Sequence, residues 1–190
     1  MALTICALLG VMLASGGQAA PVAPEAPAEL QPAIAKADRA FAELRQALIA
    51  RLSAELSSGG PLTAVSACHD VAPDIANRVQ AEQRIALGRT SHRLRNPENR
   101  SPAWAAAHVA AAADRPGADA RPLVVDLGDR VGVLRPIHAM AMCTTCHGPA
   151  DQIAPDLKET LAALYPADRA TGFREGDLRG WMWAEVPKTP

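Results

Sequence analysis

The sequence predicts a single α+β domain in which helices come first and strands, separated by further helices, follow. Three observations support this fold class. Apolar residues recur at spacings of three and four in the first half of the chain, and alternating apolar residues flank a Gly-Asp turn in the second half. The third observation is the length of 190 residues, which fits one domain.

The first twenty residues are predicted to be a secretory signal peptide. They contain no Asp, Glu, Lys or Arg, run almost entirely apolar from Leu3 to Ala14, and end in small residues. A buried or amphipathic N-terminal helix is the alternative. Residues 21–28 (PVAPEAPA) predict a Pro/Ala linker, so the folded domain is expected over residues 29–190. No later run approaches 18 uninterrupted apolar residues, so no transmembrane segment is expected in the mature chain.

One long amphipathic helix is predicted over residues 30–56, followed by the helix-breaking pair Gly59-Gly60. Pro61 suits the first turn of a second helix over residues 62–71, and a third helix is predicted over residues 74–83. The apolar residues that set the period of the first helix are Leu30, Ile34, Ala37, Phe41, Leu44, Leu48, Leu52 and Leu56.

The second half of the chain begins with a polar, proline-punctuated loop over residues 92–102 and an alanine-rich helix over residues 104–113. Gly128-Asp129 is a hairpin turn signal between two strands. Alternation places Trp181 and Trp183 on one face of a final strand. The remaining predicted elements are strands at residues 123–127, 130–134 and 180–186 and a helix at residues 155–164.

The composition limits both the core and the function. Hydrophobic residues make up 49%, but 41 of them are alanine and aromatic residues reach only 3%. Because alanine adds little transfer free energy when buried, such a core needs another source of stability. The net charge of -1 removes the usual electrostatic reason to expect nucleic-acid binding.

Cys143-Thr144-Thr145-Cys146-His147 is the C-x-x-C-H sequence of c-type haem attachment. Two thiols three positions apart add to the two vinyl groups of one haem, and the next residue presents its imidazole to the iron. A chain of this composition contains such a match by chance roughly 0.002 times. The sequence therefore predicts one covalent haem c, held by Cys143 and Cys146, with His147 as an axial iron ligand.

Three other uses of the same residues stay open at this point. They are a redox-active C-x-x-C, a plain disulfide, and a zinc site that adds Cys68 or His69 to the three motif side chains. The alternative function is therefore an exported protein without haem that carries a structural zinc ion or a disulfide.

The second axial ligand of the iron is not decided by spacing. Cys68 is a candidate for this ligand because the loss of Cys6 with the signal peptide leaves an odd number of thiols in an oxidising compartment. Iron ligation would account for an unpaired thiol there, whereas a small buried hydrophobic residue is the alternative use. The candidates are Cys68, His69, His92, His108, His138, Met140 and Met142.

Four blocks of the sequence resemble a known family. They are the C-T-T-C-H-G block at residues 143–148, the C-H-D-V-A-P block at residues 68–73, the R-N-P-E-N loop at residues 95–99 that leads to Trp104, and, more weakly, G-D-L-R-G at residues 176–180. The chain is similar to the exported single-haem c-type cytochromes and haem sensor domains of PAS-like fold from cyanobacteria and proteobacteria.

The resemblance implies a long N-terminal helix, a PAS-like antiparallel sheet and further helices around one covalent haem. It also implies that a cysteine of the early helix, here Cys68, is the distal iron ligand; His69 is the runner-up because it would give an ordinary bis-histidine haem.

Arginines in and around the R-N-P-E-N loop are candidates for binding the two haem propionates, since arginine donates paired hydrogen bonds to carboxylates. The residues are Arg84, Arg89, Arg93, Arg95 and Arg100. Arg95, Asn96 and Trp104 lie in or beside the matching loop and are expected in the haem pocket. An exposed basic loop and simple core packing of Trp104 are the alternatives.

Two function classes follow from these expectations. The protein is either an electron carrier or a sensor that reports redox state, CO or NO through loss of the Cys68 ligand, and its partner is a redox or signalling protein of unknown identity. An enzyme is not expected, because the sequence contains no G-x-G-x-x-G, P-loop or H-E-x-x-H motif. Haem attachment outside the cytoplasmic membrane agrees with a periplasmic or secreted location.

Overall fold

The computed structural model describes residues 26–113 and 120–188. The predicted signal peptide and residues 21–25 of the predicted linker lie outside these ranges. The helices are α1 (Gln31–Asp70), α2 (Ala72–Gln83), α3 (Ala103–Ala111), α4 (Thr144–His147) and α5 (Pro155–Leu164). The strands are β1 (Ala86–Thr90), β2 (Leu123–Asp126), β3 (Arg130–His138) and β4 (Leu178–Pro187). In the described ranges, no helix is both long and apolar enough to cross a membrane.

The four strands form one antiparallel sheet in the order β1-β4-β3-β2, and helices cover both of its faces. Side chains alternate between the two faces along each strand. On one face, Val133 and Met182 pack against Phe41 and Leu44 of α1. The opposite face packs against α3 through Ala105, Val109, Leu134 and Trp181, with Trp104 and Trp183 at its edge. Trp181 and Trp183 therefore share a face, as predicted.

Helix α1 continues through the predicted break at Gly59-Gly60 as a kink. Gly60 has φ 72° and ψ -168°, a backbone conformation that glycine adopts without the steric cost of a Cβ atom. Pro61 then starts the second segment of the helix, where its missing N–H costs little. The kink directs this segment towards α5, where Val65 packs against Leu157 and Leu161. Cys68 and His69 lie one turn further along the same segment.

Strand β1 has no counterpart in the predicted elements, and β3 extends four residues beyond its predicted end. The β1 sequence Ala-Leu-Gly-Arg-Thr lacks a clear apolar alternation. Its position depends instead on a residue that is distant in the sequence, because Gly88 packs so closely on Trp183 that a Cβ atom there would lie 2.8 Å from the indole. Strand β3 can contain Pro136 because its pairing with β2 ends at Leu134. At Pro136, β4 is the one neighbouring strand, so the missing N–H falls on an edge of the sheet.

Gly180 allows a close approach of β4 to the end of β1, and an alanine there is expected to destabilise the fold. A Cβ atom on Gly180 would overlap the carbonyl oxygen of Thr90 and lie 3.2 Å from Cβ of Ser91, whose hydroxyl donates to the Arg179 carbonyl at 2.7 Å. Gly180→Ala should lower the free energy of unfolding by about 1–3 kcal/mol in chemical denaturation. Glu175→Ala, at an exposed loop position, is the control; equal stability of the two variants would contradict the close packing.

Candidate functional site

The C-x-x-C-H residues follow the end of β3, on a short 3-10 turn (Ala141–Cys143) and on α4. Cys143 and Cys146 are both half-buried, and within the described residues neither thiol forms a disulfide. Cys143 packs against Ala139, Ala170 and Phe173, whereas Cys146 packs against the cluster that joins α1 to α5. The site thus presents two free thiols three positions apart, each held by a different apolar cluster.

His147 is oriented by a backbone carbonyl. Its Nδ1 lies 2.7 Å from the carbonyl oxygen of Ala170; since this oxygen can only accept, Nδ1 carries the proton and Nε2 keeps its lone pair. Burial, followed by the Arg179 and Arg95 cations, lowers the pKa of His147 well below its usual value. The imidazole is therefore neutral, with the tautomer and the orienting hydrogen bond that metal-ligating histidines have.

A loop formed by residues 168–177 runs along the motif and holds it in place. The backbone N–H of Phe173 donates to the His147 carbonyl at 2.9 Å, and that of Gly172 donates to Gly148 at 2.7 Å. Two further bonds join the end of this loop to Ala139, just after β3. The Ala139 N–H donates to the Asp177 carbonyl, and the Gly176 N–H donates to the Ala139 carbonyl, both at 2.8 Å. The motif is thus fixed by backbone hydrogen bonds to a segment that follows it by more than twenty residues.

Arg95 joins the R-N-P-E-N loop to both of these segments. Its Nε donates to Asp168 Oδ2 at 3.0 Å, and its Nη2 donates to the carbonyl oxygen of Cys146 at 2.6 Å. Both side chains of the ion pair are only 12% exposed. The structure therefore brings Arg95 to the motif, but its guanidinium is already paired with a carboxylate of the protein.

Arg95→Gln is expected to destabilise the protein by about 3 kcal/mol, because it leaves the Oδ2 atom of the buried Asp168 carboxylate without its cationic partner. Chemical denaturation of the purified protein measures the change. Arg130→Gln is the matched control: it breaks the exposed Arg130–Asp129 pair (3.7 Å) and should cost less than about 0.5 kcal/mol. Equal losses for the two variants would contradict the structural role of Arg95.

Asn96 and Trp104, also predicted in the pocket, lie apart from the motif. The Asn96 side chain accepts from the backbone N–H of Glu98 at 2.9 Å and so caps the turn Pro97–Asn99. Trp104 lies on α3, beyond the opposite face of the sheet, where its Nε1 donates to Glu185 at 3.0 Å and its ring packs on Gly132. Asn96 shapes the loop that presents Arg95, and Trp104 belongs to the core under α3.

Cys68 lies on the second segment of α1, where it borders a small cavity between α1 and α2. It keeps solvent access, but partial burial raises the pKa of its thiol, while the Arg89 and Arg95 cations act in the opposite direction. A Cys68 thiolate would in turn raise the pKa of Cys146, so the two thiols are within electrostatic reach of each other. The fold thus brings together two cysteines that are 78 positions apart in the sequence.

His69, the runner-up for the same role, is engaged elsewhere. Its Nδ1 lies 2.7 Å from Asp70 Oδ1, and its ring meets that of Tyr165 edge-on with centroids 5.2 Å apart. Its side chain is 41% exposed. His69 is therefore next to the site but is directed towards α5 and solvent.

The other candidate iron ligands are spread around the domain. His92 lies beside Phe173, with ring centroids 6.0 Å apart, and among the described residues its buried Nδ1 has no partner. His108 packs edge-on against Trp181 on the α3 face, with ring centroids 5.0 Å apart. Two further candidates, His138 and Met140, are exposed, and Met142 adjoins Cys143.

Several residues of the site were not predicted from the sequence. Asp168 and the Ala170 carbonyl give no local signal, because a lone Asp and a backbone oxygen occur throughout any chain. Phe173 packs against Cys143 and lies under the Arg93 guanidinium, whose Cζ is 3.7 Å from the ring centroid. Arg179 falls within the weakest of the four sequence blocks, which is the one signal that pointed to it.

The Tll0287-like family model matches residues 25–187. The chain belongs to the Tll0287-like family. Among solved structures, this Tll0287-like chain is similar to the crystal structure of the cyanobacterial heme-protein Tll0287, with a TM-score of 0.61 and 24% identity over 81% of this chain and 94% of that chain. The search among curated proteins gave no match.

The membership confirms the resemblance that was inferred from four short blocks of the sequence. The structural likeness to Tll0287 also confirms the predicted fold, an α+β domain of PAS-like type with a long N-terminal helix.

Proposed function

We propose that this Tll0287-like protein binds one haem c covalently through Cys143 and Cys146, with His147 and Cys68 as the axial iron ligands, and that it acts in one-electron transfer. The observation that carries the proposal is the neutral His147, whose Nδ1–H is bound to Ala170 and whose Nε2 is free beside two unpaired thiols. The description of Tll0287 as a heme-protein supports it.

The residues of the site fit the chemistry of the group. Thioether formation needs reduced thiols at this spacing, and iron ligation needs a histidine with an available nitrogen lone pair. When bound, the haem supplies an iron that changes oxidation state by one electron and that a thiolate ligand stabilises in the ferric form.

The side chains around the motif have separate tasks. The Ala170 carbonyl fixes the tautomer of His147 and raises its basicity as a ligand, while Arg95 and Asp168 hold the backbone of the motif through the Cys146 carbonyl. Arg89 and Arg95 favour the thiolate form of Cys68, which is the form that binds a metal.

Sensing is the second candidate function, and the position of Cys68 favours it. Cys68 is exposed and lies on the segment of α1 beyond the Gly60 kink. Among the described residues of that segment, Ala64 and Val65 are the buried ones, so few contacts hold it against the domain. Loss of a thiol ligand from such a segment would open a position for CO or NO. We propose no enzymatic activity, since two protein ligands would leave no position for a substrate.

The proposal extends to export. We propose that residues 1–20 are removed as a signal peptide, that residues 21–28 are a linker, and that residues 29–190 act as one haem domain in the periplasm or outside the cell. Residues 1–25 lie outside the described part of the chain, so sequence composition and the site of c-type haem attachment support this part of the proposal.

Absorption spectra of the ferric and dithionite-reduced protein, with and without CO, test the proposal. A six-coordinate ferrous haem that does not bind CO supports electron transfer, and ferrous ligand loss with tight CO binding supports sensing. A colourless protein that contains zinc would overturn the haem proposal. Within residues 26–113 and 120–188, no three Cys, His, Asp or Glu side chains are grouped so that they could hold a metal ion.

A further inference from the structure

Three half-buried arginines near the motif have no carboxylate partner in the described ranges. One of them, Arg93, is held by other groups: its Nη1 donates to the Thr171 carbonyl at 2.8 Å, and its Cζ lies 3.7 Å from the ring centroid of Phe173. Arg89 of β1 and Arg179 at the start of β4 are both half-buried, and neither has a carboxylate oxygen within 4.0 Å. The side-chain hydrogen bond of Arg179 reaches the Arg93 carbonyl at 3.5 Å, the outer limit for such a bond. Arg95, by contrast, is paired with Asp168 at 3.0 Å.

Both guanidiniums lie within electrostatic reach of the candidate ligands. Arg89 shares its face of β1 with Leu87, which packs towards α1, and it interacts electrostatically with Cys68 and Tyr165. Arg179 interacts with Cys143 and Asp168, and its Cζ lies 5.2 Å from the ring centroid of Phe173. The two arginines therefore border the region between Cys68 and the motif.

The charge of this region is unbalanced. Arg89, Arg95 and Arg179 all act on His147, and among the described carboxylates Asp168 acts on Arg179. Burial, followed by repulsion from Arg95 and Arg89, lowers the pKa of Arg179 to about 10, and burial lowers that of Arg89. The acidic side chains next to Cys68 and Tyr165 are engaged by others: Glu55 by Arg51 and Asp70 by His69.

With Arg93 held by Thr171 and Phe173, the guanidiniums of Arg89, Arg95 and Arg179 and the carboxylate of Asp168 leave two further positive charges in a partly buried site. A bound anion would balance such charges. A haem provides two propionate carboxylates. In the ferric state with a thiolate ligand, the iron, porphyrin and thiolate charges cancel, so the two propionates are the net charge of the group. Arg89 and Arg179 lack both a carboxylate partner and a short side-chain hydrogen bond in the described ranges, and they equal the two propionates in number.

We propose that Arg89 and Arg179 bind the two haem propionates and that Arg95, the better sequence-based candidate, is instead a positioning residue of the motif backbone. This assignment rests on the proposed function, because it requires the haem that the proposed function places at Cys143 and Cys146. The other sequence-based candidates take no part: Arg84 and Arg100 are exposed, and Arg93 is held by the Thr171 carbonyl and the Phe173 ring.

The test uses the full holoprotein and the variants Arg89→Gln, Arg179→Gln and, as a matched control, the exposed Arg100→Gln. Removal of a cation next to a propionate disfavours the reduced state, so the reduction equilibrium constant should fall about tenfold for each of the first two variants. It should stay within about twofold for the control. Infrared difference spectra with ¹³C-labelled propionates should show carboxylate bands that shift in the same two variants.

The outcomes separate this assignment from the proposed function. Covalent haem in the wild type with unchanged potential and bands in both variants overturns the assignment alone, and a change in one variant overturns it for the other residue. A wild type without haem overturns both. If a glutamine variant does not accumulate, the Arg→Lys variant at that position replaces it. Lysine keeps the charge but not the paired N–H groups, so a shift of the propionate carboxylate bands supports the assignment and unchanged bands overturn it.

Discussion

Replacement of Cys143 and Cys146 together by serine is expected to abolish covalent retention of haem completely. A hydroxyl does not form a thioether with a vinyl group under the conditions of haem attachment, so no covalent bond to the porphyrin remains. Each single replacement should leave one bond and a reduced yield of pigment. Denaturing gels stained for haem peroxidase activity measure the effect in protein matured in a host that attaches haem.

Cys68→Ser is the matched control for this experiment. It removes the third free thiol of the described chain while leaving the motif intact, so its covalent pigment should equal that of the wild type. Pigment that survives the double replacement, or that is lost with Cys68 alone, would contradict the roles assigned to the three cysteines.

Cys68→Ser should have the second largest effect, on the spectrum and the reduction potential. Without the thiolate, the ferric haem should change from low-spin to high-spin or gain histidine ligation, because serine is a weak ligand. The loss of thiolate electron density should also favour the ferrous state. We expect the reduction equilibrium constant to rise roughly 100-fold or more, which is about 120 mV for a one-electron couple.

His69→Gln controls for the neighbouring residue and for changes in α1. His69 lies on the same helical segment, but its ring contacts Tyr165 and Asp70, so its replacement should leave the spectrum unchanged. Should His69→Gln change the spectrum and Cys68→Ser leave it as it is, the iron ligand would be His69.

Elements with strong local signals were predicted closely. Helix α5 has the predicted bounds because proline begins it and Pro166 follows its end, so both boundaries are encoded locally. The pair Gly59-Gly60 was recognised as a break, although the helix continues after a kink. Strand β1 was missed because its pairing with β4 and its contact with Trp183 decide its conformation, and neither is visible in five residues of sequence.

The site residues also differ in whether nearby sequence or distant contacts determine their roles. Cys143, Cys146 and His147 are adjacent in the sequence, so their spacing alone predicts their chemistry. Arg95 and its partner Asp168 are 73 positions apart, and the Ala170 carbonyl that orients His147 belongs to a residue with no distinctive side chain. Trp104 was expected near the motif because it follows the matching loop, but α3 carries it to the opposite face of the sheet.

The mass of the intact chain after denaturation tests the central claim most directly. Protein purified from a host that attaches haem should carry the added mass of one haem, and the added mass should be found on the peptide that contains Cys143 and Cys146. A chain with the mass of the polypeptide alone, from a host that matures a known c-type cytochrome in parallel, would contradict the account.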